Sequence, residues 1–499
     1  MSVEKSLEQK LTEEIAEGAS WGFLGKVLSR ILTLPIKILL ARFLGPAGLG
    51  IFELGRRVAN WLLFITKLGL DHASMHFSPV YRTEKEHGKL FGLIIVVLAI
   101  PVAFSVLVGV SLHFNRWVIL NVFGSDIKGY IDLFLVLVPF LLLTRITSFT
   151  LRGFKKIDSV TRITLARLGL NLVLLLLLFQ AGFRILGAIF ALLASHIFAI
   201  MISIYVIERD LKIQRTKPEF EFGKWFNFSK PIYFSNLFHK TSVSLDILFI
   251  GYFLSSSSVG VYSIAAALAT LVVFPLMAIN QILPPIISDM SSQGERETIE
   301  MLYQKSTRWI YLGAFPLFLI LFLFPAEIIN LLFGESYLSA VTPLRLLLVG
   351  QVFNMGFGSV GFLLQSTEYQ EWNLYTSIVS TITNIGLNIA LIPMFGIKGA
   401  AIATAISLFM NNFLQLLAIR LKLNMNPWNE DYLRLLLPLV ISLIIYYISG
   451  IFSQNWVTRF LIFGTTLSGL IYLMALTEED KQDMKTLMQN ITEGALGRV

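Results

Sequence analysis

The chain has 499 residues, 55% hydrophobic and only 14% charged, with a mean hydropathy of +0.71 and a formal net charge of +8. That is more apolar side chain than a water-soluble core absorbs, so the composition excludes a soluble globular protein and predicts a polytopic membrane protein. The absence of Cys excludes disulfides, Cys-ligated zinc and iron–sulfur clusters, and the positive charge, spread over short loops, reads as membrane topology and not as a nucleic-acid surface.

Residues 1–19 are polar and acidic, with no apolar run leading to a small-residue cleavage site; they are expected to be a cytosolic N-terminal segment and not a cleaved signal. Windows of about 20 apolar residues then place spans near 20–42, 49–71, 90–112, 131–150, 163–181 and 187–207. The basic stretch 208–230 follows as a cytosolic linker. Six more spans lie near 231–253, 260–286, 309–328, 341–362, 374–394 and 399–420, and two last ones near 433–452 and 459–476. The tail 477–499 carries Met484, Leu487, Met488 and Ile491 at helical spacing and reads as an amphipathic cytosolic helix. The predicted fold class is therefore all-α with about 14 transmembrane helices. With the N-terminus in the cytosol, Lys and Arg concentrate in the loops placed inside, for example Arg152, Lys155, Lys156 and Arg162, then Arg209, Lys212, Arg215 and Lys217. The positive-inside rule thus puts both termini of a multi-pass protein on the cytosolic side of the cell membrane.

The spans repeat. FLGPAGLGIF, from Phe43 to Phe52, reappears 210 residues later as FLSSSSVGVY, from Phe253 to Tyr262. ILNVFG ending at Gly124 is matched by INLLFG ending at Gly334, GLNL from Gly169 by GLNI from Gly386, and GAIFA from Gly187 by GAAIA from Gly399. These pairs stay in order at nearly one offset, which predicts two six-helix lobes, residues 20–207 and 231–420, followed by two extra helices in 433–476. An even number of spans per lobe starts both lobes on the same side, making the repeat parallel.

Charged residues inside spans mark function, because a charge at the membrane centre costs at least ~2.5–3.5 kcal/mol. Lys26, Arg30, Thr33 and Lys37 fall within roughly 60° of one another on the first span. Glu53, Arg57, Asn60, Lys67 and Asp71 do the same on the second, with Arg56 beside them. Lys26, Lys37 and Lys67 lie near span ends, where snorkelling to the headgroups is the rival use; an i,i+4 ion pair of Glu53 with Arg57 is the rival use of that arginine. The 210-residue offset carries Arg30 onto Lys240, so each lobe places a cation at one depth. In the second lobe, Ser377, Thr381, Asn384 and Asn388 share one helix face and Thr404, Ser407, Asn411 and Gln415 another. These polar faces suit either helix packing or a hydroxyl-rich ligand. Asp246, an intramembrane carboxylate, shares a face with Ser235, His239 and Ser242, which points to an ion-coupling site or to charge compensation for Lys240.

The turn ARFLGPAGLGIF after a first span, the tandem six-helix lobes and the two extra C-terminal spans resemble the polysaccharide-transporter (Wzx-like) oligosaccharide flippases of the multidrug/oligosaccharidyl-lipid/polysaccharide (MOP) exporter superfamily. The run Ser29–Leu32, SRIL, is similar to the first span of lipid II flippases, where a basic residue faces the cavity, which bears on Arg30 alone. The resemblance implies a MATE-like fold that moves a polyprenyl-phosphate- or pyrophosphate-linked oligosaccharide from the cytosolic to the outer leaflet by alternating access. The implied partners are that substrate, the membrane lipids and a coupling proton or sodium ion; the chain is expected to be monomeric and to need no cofactor or metal. On this reading the substrate meets Arg30, Lys240, Lys26, Lys37, Arg57, Arg56, Asn60, Asn384, Asn388 and Asn411, and Asp246 with His239 couples the ion. A multidrug cation antiporter of the same superfamily is the first alternative, weakened by the cationic spans. A membrane glycosyltransferase or polymerase is the second; no Asp-x-Asp motif and no large outer loop supports one.

Overall fold

The computed structural model describes residues 2–211, 216–281, 283–429, 436–452, 455–476, 478 and 480. Among them every regular element is helical. In chain order the α-helices are α1 (Ser2–Thr66), α2 (Leu70–Thr83), α3 (His87–Phe114), α4 (Trp117–Phe123), α5 (Ile131–Gly153), α6 (Ile157–Gln180), α7 (Ile185–Leu211), α8 (Phe222–Ser244), α9 (Asp246–Phe253) and α10 (Ser256–Ala269). They continue as α11 (Phe274–Ile279), α12 (Leu283–Gln293), α13 (Arg296–Leu323), α14 (Pro325–Phe333), α15 (Val341–Gly356), α16 (Val360–Gln365), α17 (Gln370–Phe395), α18 (Ile397–Leu423), α19 (Leu436–Phe452) and α20 (Trp456–Leu470). Nine described helices are long and apolar enough to cross a membrane. Leu107, Leu177 and Ile382 are 65, 56 and 66% exposed, an outward-facing apolar surface that suits lipid and would be a liability in water.

The first two predicted spans form the single element α1, bent at Gly45, whose φ of 68° and ψ of 178° interrupt the helix just before Pro46. Other predicted spans are broken. The seventh divides at Leu245 into α8 and α9, the eighth into α10, α11 and α12, and the tenth into α15 and α16. Past Leu68 (φ 52°) and Gly69 (φ 75°) the second span resumes as α2, where a loop is expected from hydropathy. The short helices α4 and α14 are likewise additional to the expected spans.

Elements at matching places in the sequence repeat also match in local geometry. α3 and α13 each have 28 residues, and their N-caps, Glu86 (φ −83°, ψ 67°) and Glu295 (φ −77°, ψ 64°), share one conformation. Gly124 ends α4 at φ 77°, ψ 175°, and its counterpart Gly334 follows α14 at φ 100°, ψ 167°, a region that only glycine enters readily. α7 and α18 each have 27 residues.

The chain forms two compact units. One comprises Met1–Ala267, Ile329–Pro343 and Leu374–Ser407; the other comprises Leu268–Ile328, Leu344–Asn373 and Leu408–Val499. In the first, Leu151, Val160, Ile163 and Ala199 form a buried cluster between α5, α6 and α7. There too the repeated glycines meet: a Cβ on Gly50 would lie 1.7 Å from the Ser256 carbonyl oxygen, and one on Gly260 2.0 Å from that of Pro46. Only glycine allows this backbone approach. The second unit is built on Leu283, Ile287, Tyr303, Leu363, Leu364 and Ile419, with the Tyr303 hydroxyl donating to the Phe357 carbonyl at 2.8 Å and Trp428 Nε1 to that of Gly356 at 2.9 Å.

Candidate functional site

The charged residues of the first two spans are sorted by the bend at Gly45, which returns the chain antiparallel to itself and brings residue 37 beside residue 53. Glu53, 2% exposed, accepts Lys37 Nζ on Oε1 at 2.5 Å and Arg56 Nη2 on Oε2 at 2.6 Å. Lys37 also donates to Ser263 Oγ at 3.0 Å. A buried carboxylate must be paired, and here Lys37 and Arg56 pair it, in place of the Glu53–Arg57 pair that i,i+4 spacing suggests. At the junction of α1 and α2, Lys67 and Asp71 are 1 and 0% exposed and 3.2 Å apart, and Arg145 Nε reaches the same Asp71 oxygen at 2.8 Å. Lys67 is thus ion-paired in the interior and does not snorkel; its ammonium also stands 4.9 Å from the Phe64 ring centroid. Arg145 on α5 completes this triad; it belongs to no polar stripe along its own span, so span periodicity does not single it out.

Arg30 and Arg57 are half-buried, and among the described residues neither has a carboxylate within 4.0 Å. Lys26 is exposed. Asn60 donates back to the Arg56 carbonyl of its own helix at 2.8 Å. Arg30 and Arg57 thus stand without a direct ion pair among the described residues, Asp246 and Glu53 acting on Arg57 from beyond that distance, while Glu53 and Asp71 each already accept two cations.

The neutral polar faces divide. Asn384 and Asn388 are 5 and 0% exposed, and Asn388 Nδ2 donates to the Asn384 carbonyl at 2.9 Å and to its Oδ1 at 3.0 Å, an amide pair buried in helix packing. Ser380 Oγ donates to the Ser407 carbonyl at 2.9 Å, joining α17 to α18. Asn411, in the second unit, keeps a buried Oδ1 with no hydrogen-bond partner among the described residues. Asp246 opens α9 after the break at Leu245; its Oδ2 accepts the Tyr262 hydroxyl at 2.7 Å and that of Thr404 at 3.5 Å. Lys240 and His239 lie on α8, and their side chains are outside the described residues, as is the tail from residue 481 onward.

On the cytosolic side of the predicted topology, the linker docks on the corner between α2 and α3. Glu219 N donates to the Gly88 carbonyl at 3.0 Å. Glu221 accepts the Tyr81 hydroxyl and pairs with Lys89 at 3.3 Å and Lys224 at 3.4 Å, while Trp225 Nε1 donates to the Tyr81 oxygen at 3.0 Å. The Tyr81 hydrogen bond, followed by Lys89 and Lys224, holds the Glu221 carboxyl below its ordinary range.

The family model for polysaccharide biosynthesis proteins matches residues 39–342 of this chain, more than half of its length. The chain belongs to the polysaccharide biosynthesis protein family. Within reach of that family, a Haloferax volcanii protein named a probable low-salt glycan biosynthesis flippase, Agl15, is 26% identical over 381 residues, covering 75% of this chain and 77% of its own. Among solved structures, the lipid II flippase MurJ in an inward closed conformation superposes with a TM-score of 0.73 at 16% identity, covering 90% of this chain and 97% of that one. An inward-facing multidrug resistance MATE transporter of the MOP superfamily gives 0.67 at 16% identity, covering 79 and 94%. At these identities the structures establish the fold alone. Family and fold together bear out the resemblance carried by the ARFLGPAGLGIF turn and the tandem lobes.

Proposed function

We propose that the protein is a flippase that moves a polyprenyl-phosphate- or pyrophosphate-linked oligosaccharide from the cytosolic to the outer leaflet of the cell membrane by alternating access. The observation that carries this reading is the pair Arg30 and Arg57, which among the described residues have no carboxylate within ion-pairing distance, Asp246 and Glu53 acting on Arg57 only from farther away, while Lys37, Arg56, Lys67 and Arg145 are each in direct contact with one. An unneutralised guanidinium in a membrane seeks an anion, and a phosphodiester or pyrophosphate supplies one with matching bidentate geometry. Lys240, the repeat equivalent of Arg30, is assigned to the same phosphate. The polyprenyl tail stays in lipid while the polar head crosses. Agl15 carries the name of a glycan flippase, and the inward closed and inward-facing states of the two solved folds support alternating access. Asp246, with Tyr262 and Thr404 as its hydrogen-bond donors, is the proposed site for a coupling proton or sodium ion. A multidrug exporter of this fold would need anionic walls for its cationic substrates, and the surplus arginines count against that reading.

The test is a labelled polyprenyl-pyrophosphate-linked oligosaccharide in liposomes containing the purified protein. The proposal requires label to change leaflet with its covalent structure intact. No change of leaflet above empty liposomes overturns it, and a changed covalent structure makes the protein an enzyme.

A further inference from the structure

Arg167 is the eleventh of the 24 residues of α6, about 15 Å of helical rise from its start and so near the middle of a ~30 Å hydrocarbon core. Among the described residues it has no carboxylate within ion-pairing distance. Its hydrogen-bond partner is His196 on α7, with Nη1 and Nε2 3.4 Å apart. His196 is 7% exposed, and its other ring nitrogen, Nδ1, lies 3.0 Å from Thr144 Oγ1 on α5. The hydroxyl proton of Thr144 is committed, because Oγ1 donates to the Phe140 carbonyl at 2.8 Å. Thr144 therefore accepts from His196, which assigns the proton to Nδ1 and leaves the Nε2 lone pair to accept from Arg167. A neutral imidazole thus holds the guanidinium in place without cancelling its charge, and four of its five N–H donors stay available.

Arg167 also stands level with Arg30. Gly25 packs on Thr161, where an added Cβ would come within 2.6 Å of Cγ2, and the Phe43 and Phe179 rings stack at 4.9 Å. Both pairs are 136 residues apart, so α1 and α6 run parallel in constant register, with Arg30 opposite Ala166. Neighbouring helices therefore carry an arginine each at one depth, to within a residue's rise. The buried carboxylates Glu53 and Asp71 of this unit are already committed, each accepting two other cations.

We infer that Arg167, positioned by His196 and Thr144, is a further anion-binding residue of the first lobe and shares the phosphate or pyrophosphate of the lipid-linked substrate with Arg30. This rests on the flippase reading for the identity of the substrate, and on geometry alone for the anion. The experiment uses full-length protein in liposomes and nanodiscs with two probes: inorganic pyrophosphate, for binding by calorimetry, and the labelled polyprenyl-pyrophosphate-linked oligosaccharide, for flipping. Arg167→Gln should weaken pyrophosphate binding about tenfold and slow flipping comparably, while Arg167→Lys keeps most of both. His196→Leu should weaken binding severalfold and His196→Gln, whose Oε1 can accept from Arg167, should restore it, a contrast that a merely structural histidine does not produce. Unchanged thermal melting checks folding; should Arg167→Gln fail to fold, the Arg167→Lys and His196 pair decide. Pyrophosphate binding within twofold of wild type in folded Arg167→Gln overturns the inference. Weakened pyrophosphate binding with normal flipping also overturns it, since the anion held would then be a free one and not the substrate's. If wild-type protein binds pyrophosphate through Arg167 but flips nothing, the flippase reading falls and the anion site stands.

Discussion

Replacing Gly50 by Ala should force apart the two helices, α1 and α10, that meet at Gly50 and Gly260. The new Cβ lies 1.7 Å from the Ser256 carbonyl oxygen where ordinary contact begins at 3.4 Å, so the backbones must separate by about 1.7 Å, the difference between the two. One hydrogen bond bridges the same two helices, Lys37 Nζ to Ser263 Oγ at 3.0 Å. It stretches beyond hydrogen-bonding range. At ~1.5–3 kcal/mol for a bond to a charged group, the contact loses about that amount, or a ~10- to 150-fold shift toward the separated state at 1.4 kcal/mol per decade. A single cysteine at Val261, 5% exposed in a chain with no native Cys, reports the separation. Its labelling by a membrane-impermeant maleimide should accelerate at least tenfold in Gly50→Ala, and flipping should slow. Labelling and flipping both at wild-type rates would refute the argument that these glycines set the spacing of α1 and α10.

Cysteines at Ser256 and at Thr216 should label from opposite sides of the membrane, and labelling of both from outside intact cells would overturn the topology with cytosolic termini. Asp246→Asn should abolish dependence of transport on a proton or sodium gradient with melting unchanged; gradient-driven transport at the wild-type rate would leave Asp246 as a structural acceptor for Tyr262. The Glu221 carboxyl is held below its ordinary range by Tyr81, so its contribution to linker docking is present above the ordinary carboxylate pKa of ~4.3 and is lost as pH falls below that through the lowered value. Proteolysis within the linker should therefore accelerate only below about pH 4 in wild type. Glu221→Gln should show the faster cleavage at neutral pH, and equal rates in the two proteins would dismiss the latch.

The spans were legible because the hydropathy of a lipid-facing helix is dominated by side chains at every position, and the repeat was legible because glycines such as Gly50, Gly124 and their counterparts are required by backbone geometry. The breaks at Leu245, within α10–α12 and between α15 and α16 escaped hydropathy because a window average carries no dihedral information. Charge partners were partly hidden for a different reason. Spacing along one helix offered Arg57 to Glu53, while the bend at Gly45 delivered Lys37 from the preceding span, a tertiary pairing that periodicity does not encode. Asn388 read equally well as packing or as ligand surface, and only its complete burial against Asn384 separates the two. Arg145 and Arg167 make no stripe along their helices, so periodicity does not mark them, although an arginine in mid-span is itself a signal.

The central claim is that uncompensated cations carry the phosphate of a lipid-linked sugar across the membrane. Its most direct test is the flipping rate of the labelled polyprenyl-pyrophosphate-linked oligosaccharide in liposomes by wild type, Arg30→Gln, Lys240→Gln and the double variant, with protein level and melting matched. Each charge-assisted contact is worth about 1.5–3 kcal/mol, so each single change should cost roughly tenfold or more and the double variant more than either. Arg30→Lys and Lys240→Arg should be milder, because charge survives. Near-wild-type flipping by the double variant would contradict the claim.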